Sequence, residues 1–172
     1  MHNILLLGSG GREHAMAWKI CQSRLCRELF IAPGNPGTAS CGINVSLPVN
    51  DFASIGKFCL EKNIALLVVG PEDPLVNGIV DYFLADDSLK KIPVIGPDKS
   101  GARLEGSKSF AKKFMQKYSI PTAPYKSFTK NEFADAINFL DTFSPPYVIK
   151  ADGLAAGKIG RASCRERVCQ YV

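Results

Sequence analysis

With 172 residues, 46% of them hydrophobic and 22% charged, the chain can bury a full core and form one domain plus part of another. Its net charge of +5 comes from 21 basic and 16 acidic residues with no run of like charges, which argues against nucleic acid or a membrane surface as partner. No apolar stretch reaches the roughly 18 residues of a membrane span, and the apolar run before Gly8 is too short for a signal segment, so a cytoplasmic location is expected.

Short apolar runs alternate with helix-period segments along the chain. Residues 4–7 predict a buried strand, and residues 14–21 start a helix. Residues 29–32 predict a second strand, followed by the turn-rich PGNPGTAS and a short third strand at 45–47. Residues 52–61 read as a helix with Asp51 as its N-cap. A purely aliphatic strand at 66–69 leads into GPEDP, a helix over 75–84 and a strand at 93–95. This alternation predicts an α/β fold, a doubly wound parallel sheet covered on both faces.

After Gly96 the rhythm changes. Residues 100–118 have a helical pattern broken near Gly106, and the two-proline stretch 120–124 marks a domain boundary. A strand at 125–128, a helix over 131–143 and a strand at 147–151 then open a second domain. The expected organisation is an N-terminal substrate-binding domain at 1–100, a helical linker at 101–124, an incomplete domain at 125–158 and a tail at 159–172. The six cysteines form no CxxC pair, which argues against zinc and fits small apolar residues in a reducing compartment.

Three glycine-rich loops follow strands. GSGGREH, residues 8–14, allows a tight turn and a phosphate at a helix N-terminus. A dinucleotide fingerprint would place glycine where Glu13 stands, and the second strand would end in an acid rather than Ile31-Ala32-Pro33, so a nicotinamide-dependent oxidoreductase is disfavoured. PGNPGTAS and GPEDPLVNG also fall at carboxyl ends of strands, where open α/β sheets bind ligands. Glu72 and Asp73 suit a ligand's amine or ribose hydroxyls; Glu72 equally suits capping of the next helix.

A fourth element, VIKADGLAAGK at 148–158, runs from a strand into a loop flanked by Lys150 and Lys158. Small residues admit backbone N–H groups to phosphate oxygens, and the lysines add charge. Gly153 and Gly157 are one residue too close for a Walker A loop, and Ile159 follows Lys158. Lys150 is expected inside the strand, where burial without an anion is costly. Lys108 invites the same suspicion more weakly.

The strings GSGGREHAMAWK, APGNPGT, VVGPEDPLVNGIVD, LEGSKSFAKKFM, YSIPTAPY and VIKADGLAAGK occur in this order over residues 1–158. Together they resemble the phosphoribosylamine–glycine ligases (glycinamide ribonucleotide synthetases), ATP-grasp enzymes of purine biosynthesis. The resemblance implies a Rossmann-like pre-ATP-grasp domain followed by the start of an ATP-grasp domain. It implies that ATP phosphorylates glycine and that 5-phosphoribosylamine attacks the acyl phosphate, with Mg2+ or Mn2+ bridging phosphates. Gly10, Gly11, Arg12 and Glu13, with Gly70, Pro71, Glu72 and Asp73, would lie near the phosphoribosylamine site. Lys108 and Lys150 would contact ATP phosphates. Gly153, Leu154, Ala155, Ala156, Gly157 and Lys158 would form the loop that closes over them. A monomer is implied for the complete enzyme.

The resemblance stops at Lys158. The family continues GKGV into a returning strand, whereas GKIGRASCRERVCQYV matches nothing expected there, as if a foreign or frameshifted tail ended a truncated product. No metal ligand is expected within the chain, the magnesium-binding side chains falling beyond residue 172. The expectation is therefore an N-terminal fragment, inactive alone. The alternative is a non-catalytic module that binds a phosphoribosyl ligand.

Overall fold

Strand β1 (His2–Gly8) carries Leu5, Leu6 and Leu7 with no solvent exposure at all. Three consecutive buried residues require cover on both faces, and the computed structural model, which describes residues 1–142, 148–154 and the backbone of 162–163, supplies it. Helix α1 (Gly11–Ile20), β2 (Cys26–Pro33), β3 (Ile43–Asn44), α2 (Phe52–Glu61) and β4 (Ile64–Val69) come next in order. Then come α3 (Glu72–Asn77), α4 (Ile79–Ala85), β5 (Val94–Ile95) and α5 (Lys99–Gly106). The five strands are all parallel in the order β3-β2-β1-β4-β5, the doubly wound sheet expected from the sequence.

The pleat sorts the core by alternation. Leu5 and Leu7 pack with Phe30, Ala32 and Leu67 beneath Ile55 and Cys59 of α2 and Ile79 and Phe83 of α4. Leu6 joins Leu29 and Ile31 under Ala17 of α1 on the opposite face. Each fully buried aliphatic or Phe side chain contributes about 1.5–3 kcal/mol. Asp51 caps α2 as expected: its carboxylate accepts from the Ser54 backbone N–H at 3.1 Å and the Ser54 hydroxyl at 2.7 Å.

Several elements differ from expectation. Helix α1 begins at Gly11 rather than at residue 14, because Glu13 satisfies the Gly10 N–H within the first turn. The third strand is Ile43–Asn44 rather than 45–47; Val45 and Leu47 pack on the core, and only the Val45 N–H reaches the Ile31 carbonyl. The single helix expected over 75–84 is two, divided at Gly78, whose φ of +95° is left-handed.

The chain divides into Met1–Gly106 and Ser107–Val172, inside the expected linker rather than at 120–124. The reason is packing: α5 buries Ala102 and lies against α3, whereas Lys112, in the helix after Gly106, donates to Thr122 and Ala123 and so ties the proline stretch to the second unit.

The second unit holds α6 (Lys108–Lys117), α7 (Phe133–Leu140), β6 (Val148–Ile149) and β7 (Ala162–Ser163). The break expected near Gly106 is present, and the Ser107 hydroxyl starts α6 by accepting from the Phe110 N–H at 3.2 Å. No strand forms at 125–128, and a 3-10 turn at Lys130–Glu132 precedes α7. β6 pairs antiparallel with β7, so a returning strand exists where none was expected. Pairing of two residues runs through the backbone and asks little of the side chains. None of the described residues of this unit is buried.

Candidate functional site

The strand order reverses at β1, so the carboxyl ends of β1 and β4 flank a crevice of the kind that receives ligands in doubly wound sheets. Three loops meet around it. The Gly34 N–H donates to the Gly8 carbonyl at 3.1 Å, and the Asn35 side-chain amide donates to the Ser9 carbonyl at 2.8 Å. On the other side the Gly70 N–H donates to the Leu7 carbonyl at 3.1 Å. The three glycine-rich loops singled out in the sequence are thus one structure.

Glu13 sits inside it. Only 5% exposed, its carboxylate accepts from the Gly10 N–H at 2.6 Å. A Cβ placed on Gly8, Gly10 or Gly70 would come within 2.4, 2.8 or 2.5 Å of the Glu13 side chain. These glycines therefore serve the approach of Glu13. The Glu13 side chain fills the space beside Gly8, Gly10 and Gly70 and takes up the Gly10 N–H, so that amide is not open to a dinucleotide pyrophosphate, which gives the departure from the fingerprint a physical meaning.

Arg12 and Glu72 span the crevice. The Arg12 guanidinium donates to the Glu72 carboxylate at 2.8 Å. This bond is the main cause that holds the Glu72 carboxyl below its ordinary range, and Arg12 is raised correspondingly. Glu72 also lies in the first turn of α3, where a negative charge is favoured. Arg12, Gly70, Glu72 and Glu105 line a cleft of about 260 Å³ floored by Leu75 and Val76. Gly10, Gly11, Glu13, Pro71 and Asp73 do not line it; Asp73 accepts from the Asn50 side chain. Sequence reasoning missed Asn35 and Thr38. The Asn35 side chain accepts from the Gly37 and Thr38 N–H groups at 2.7 and 3.0 Å and shapes the PGNPGT loop beside Ser9. The Asn two residues before a glycine was the available signal.

In the second unit, Lys108 and Gly153 come together: the Lys108 ammonium donates to the Gly153 carbonyl at 2.5 Å. Asp152, which the sequence did not single out, accepts from the Lys108 N–H at 2.6 Å and the Ser109 hydroxyl at 2.7 Å. It accepts further from the Ser107 hydroxyl at 3.2 Å and the Gly153 N–H at 3.0 Å. These bonds, the Ser109 hydroxyl foremost, hold its carboxyl at about 2. Lys150 is exposed and follows β6 rather than lying within a strand, so the burial argument for it does not hold. Leu154 is exposed, and Ala155, Ala156, Gly157 and Lys158 lie outside the described residues. Among the described residues no group of three or more His, Cys, Asp or Glu side chains is placed to hold a metal ion. No described helix is long and apolar enough to cross a membrane.

Residues 2–105 match the model for the phosphoribosylglycinamide synthetase N domain, and residues 106–168 match that for the ATP-grasp (A) domain of the same synthetase. The chain is 54% identical over 156 residues to phosphoribosylamine–glycine ligase of Mesorhizobium japonicum, a match covering 91% of this chain and 35% of that protein. It is 45% identical over 176 residues to the trifunctional purine biosynthetic protein adenosine-3 of Gallus gallus, covering 98% and 17% respectively. The crystal structure of phosphoribosylamine–glycine ligase from Thermotoga maritima superposes with a TM-score of 0.63 at 39% identity, over 91% of this chain and 34% of that one. The ATP-grasp and Gallus gallus matches both run past Lys158, so likeness extends further than the motif strings do. The chain spans about a third of the length of the bacterial relatives it matches. By these matches, and by a fold and domain division that agree with them, the chain belongs to the phosphoribosylglycinamide synthetase family.

Proposed function

We propose that this chain carries the phosphoribosyl-binding unit and the opening of the ATP site of an ADP-forming ligase. That ligase joins glycine to 5-phosphoribosylamine and yields glycinamide ribonucleotide. The observation that carries the reading is the convergence of three loops at the strand-order reversal, bridged by Arg12 and Glu72. Arg12, which lines the cleft, suits the phosphate of a phosphoribosyl ligand. Glu72 and Asp73 suit its amine or hydroxyls. Glu13, already satisfied by Gly10, shapes the loop.

In the second unit Lys108 beside the entry of the glycine-rich loop suits a polyphosphate, with Lys150 exposed nearby in sequence. ATP would supply the phosphoryl group that activates the glycine carboxylate, and positioning with charge neutralisation would account for most of the rate. A divalent cation belongs to this reading, with ligands outside the described residues. The reading also includes a cytoplasmic location and a monomeric complete enzyme.

Calorimetry with glycinamide ribonucleotide tests the binding half. Saturable binding that is lost on Arg12→Ala supports it, and absence of binding overturns it. No turnover of glycine, phosphoribosylamine and ATP is expected from this chain alone. Binding of the ribonucleotide without any binding of ATP would favour the non-catalytic module, since every buried residue among those described lies in the first unit.

A further inference from the structure

We propose that Asp152 is a positioning residue, which seats Lys108 against the entry of the glycine-rich loop. The proposal rests on the reading of Lys108 as a phosphate-contacting lysine.

Helix α6 does not require Asp152 as a cap. Ser107 already fills that role, its hydroxyl accepting from the Phe110 N–H. Yet the Asp152 carboxylate spends its lone pairs on the same helix end, accepting from the Lys108 N–H, the Ser109 N–H at 3.3 Å and the hydroxyls of Ser107 and Ser109. The consequence falls one residue on. Gly153 is held beside α6 with a φ of +90°, and its carbonyl accepts from the Lys108 ammonium. No atom lies within 4 Å of where a Gly153 Cβ would be, so glycine is required there for conformation and not for space.

The arrangement fixes both ends of a short linkage. Asp152 grips the backbone of Lys108, and Lys108 grips the backbone of Gly153. Gly153, the entry of the glycine-rich loop, is therefore held in register with Lys108. A phosphate that draws the lysine off the carbonyl would free the loop entry in the same step.

The test is trace acetylation of the full chain with acetic anhydride, read at each lysine by mass spectrometry. In Asp152→Ala the Lys108 rate should rise about five-fold relative to Lys112, Lys113 and Lys117, the gain expected from losing one hydrogen bond. Asp152→Asn, which keeps an acceptor for the Lys108 N–H, should restore most of the protection. Gly153→Ala should expose Lys108 with Asp152 intact, because an alanine resists the left-handed conformation. An unchanged Lys108 rate in Asp152→Ala overturns the proposal. So does an equal rise at all four lysines, which would reduce Asp152 to a fold-stabilising residue. Adding MgATP to the unaltered chain should slow Lys108 while leaving Lys112, Lys113 and Lys117 unchanged. If it does not while the Asp152→Ala effect stands, the ATP reading fails and the positioning role survives.

Discussion

Replacing Gly70 with alanine should unseat Glu13. The new Cβ would lie 2.5 Å from both Cγ and Oε1 of Glu13 and 2.8 Å from its Cδ, distances that real Cβ atoms do not adopt. Cγ is the middle of the side chain, so a swing of its tip does not relieve the contact. Overpacking of this kind costs about 1–3 kcal/mol, and loss of the charge-assisted bond from the Gly10 N–H adds about 1.5–3 kcal/mol. The expected destabilisation is about 3 kcal/mol, and with an m-value near 2 kcal/mol/M the urea midpoint falls by about 1.5 M. Trp18 is the only tryptophan and belongs to Met1–Gly106, so its fluorescence tracks that unit alone. In a Glu13→Ala background the same alanine should cost less than about 1 kcal/mol, a coupling of about 2 kcal/mol. Gly11→Ala is the control: no atom lies within 4 Å of its Cβ position, and the change should stay within about 1 kcal/mol. If Gly70→Ala costs the same with and without Glu13, the idea that Glu13 is the reason for the glycine is wrong.

The Asp152 carboxyl, held at about 2, contributes stability that is complete above its ordinary value of 3.8 and is lost as pH falls through the folded value. Carboxyl NMR should therefore give a midpoint near 2 for Asp152, and a midpoint near 4 would remove the anchor to α6. Burial pushes the Cys59 thiol up to about 12, whereas Cys21 is exposed. A thiol reagent at pH 8 should label Cys21 in the folded chain and Cys59 only after unfolding, as peptide mapping would show. Phe83→Ala should lower stability by about 3–5 kcal/mol in the Trp18 assay, because its ring is 1% exposed among α4, α2 and the sheet. Arg12→Ala should leave the urea midpoint unmoved, its side chain being 73% exposed, while weakening glycinamide ribonucleotide at least about ten-fold by calorimetry.

The layout of the sheet was legible because its strands are aliphatic runs ended by glycine. Leu5, Leu6 and Leu7 required cover on two faces, and Asp51 announced the start of α2. The features that escaped the sequence were set by contacts between distant residues. Glu13 read as a missing glycine, but nothing local said that its carboxylate would turn inward among Gly8, Gly10 and Gly70. The break at Gly78 was hidden because apolar residues keep a helical period through it. Val45 and Leu47 looked like strand because they are apolar, yet they reach the core from outside the ladder. Lys150 fell outside its strand because β6 ends at Ile149. Asp152 carried no signal beyond standing before Gly153, since its partners at the start of α6 lie more than forty residues earlier.

The leucines of β1 have a consequence for how the chain finds its alignment. A slip of β1 by one residue would ordinarily turn an apolar side chain outward and be penalised. Here a slip of one residue still leaves a leucine at two of the positions held by Leu5, Leu6 and Leu7, the third receiving Ile4 or Gly8, so the apolar pattern alone resists it weakly. The information that pins β1 must then come in part from its ends: His2 and Asn3 donate to Leu25 and Lys62 at the start, and Gly8 receives Gly34 and Leu7 receives Gly70 at the finish. The bonds at the finish belong to the loops around the crevice. The alignment of the central strand is therefore coupled to the loops that would bind a ligand, and an altered loop should disturb the sheet as well as the crevice.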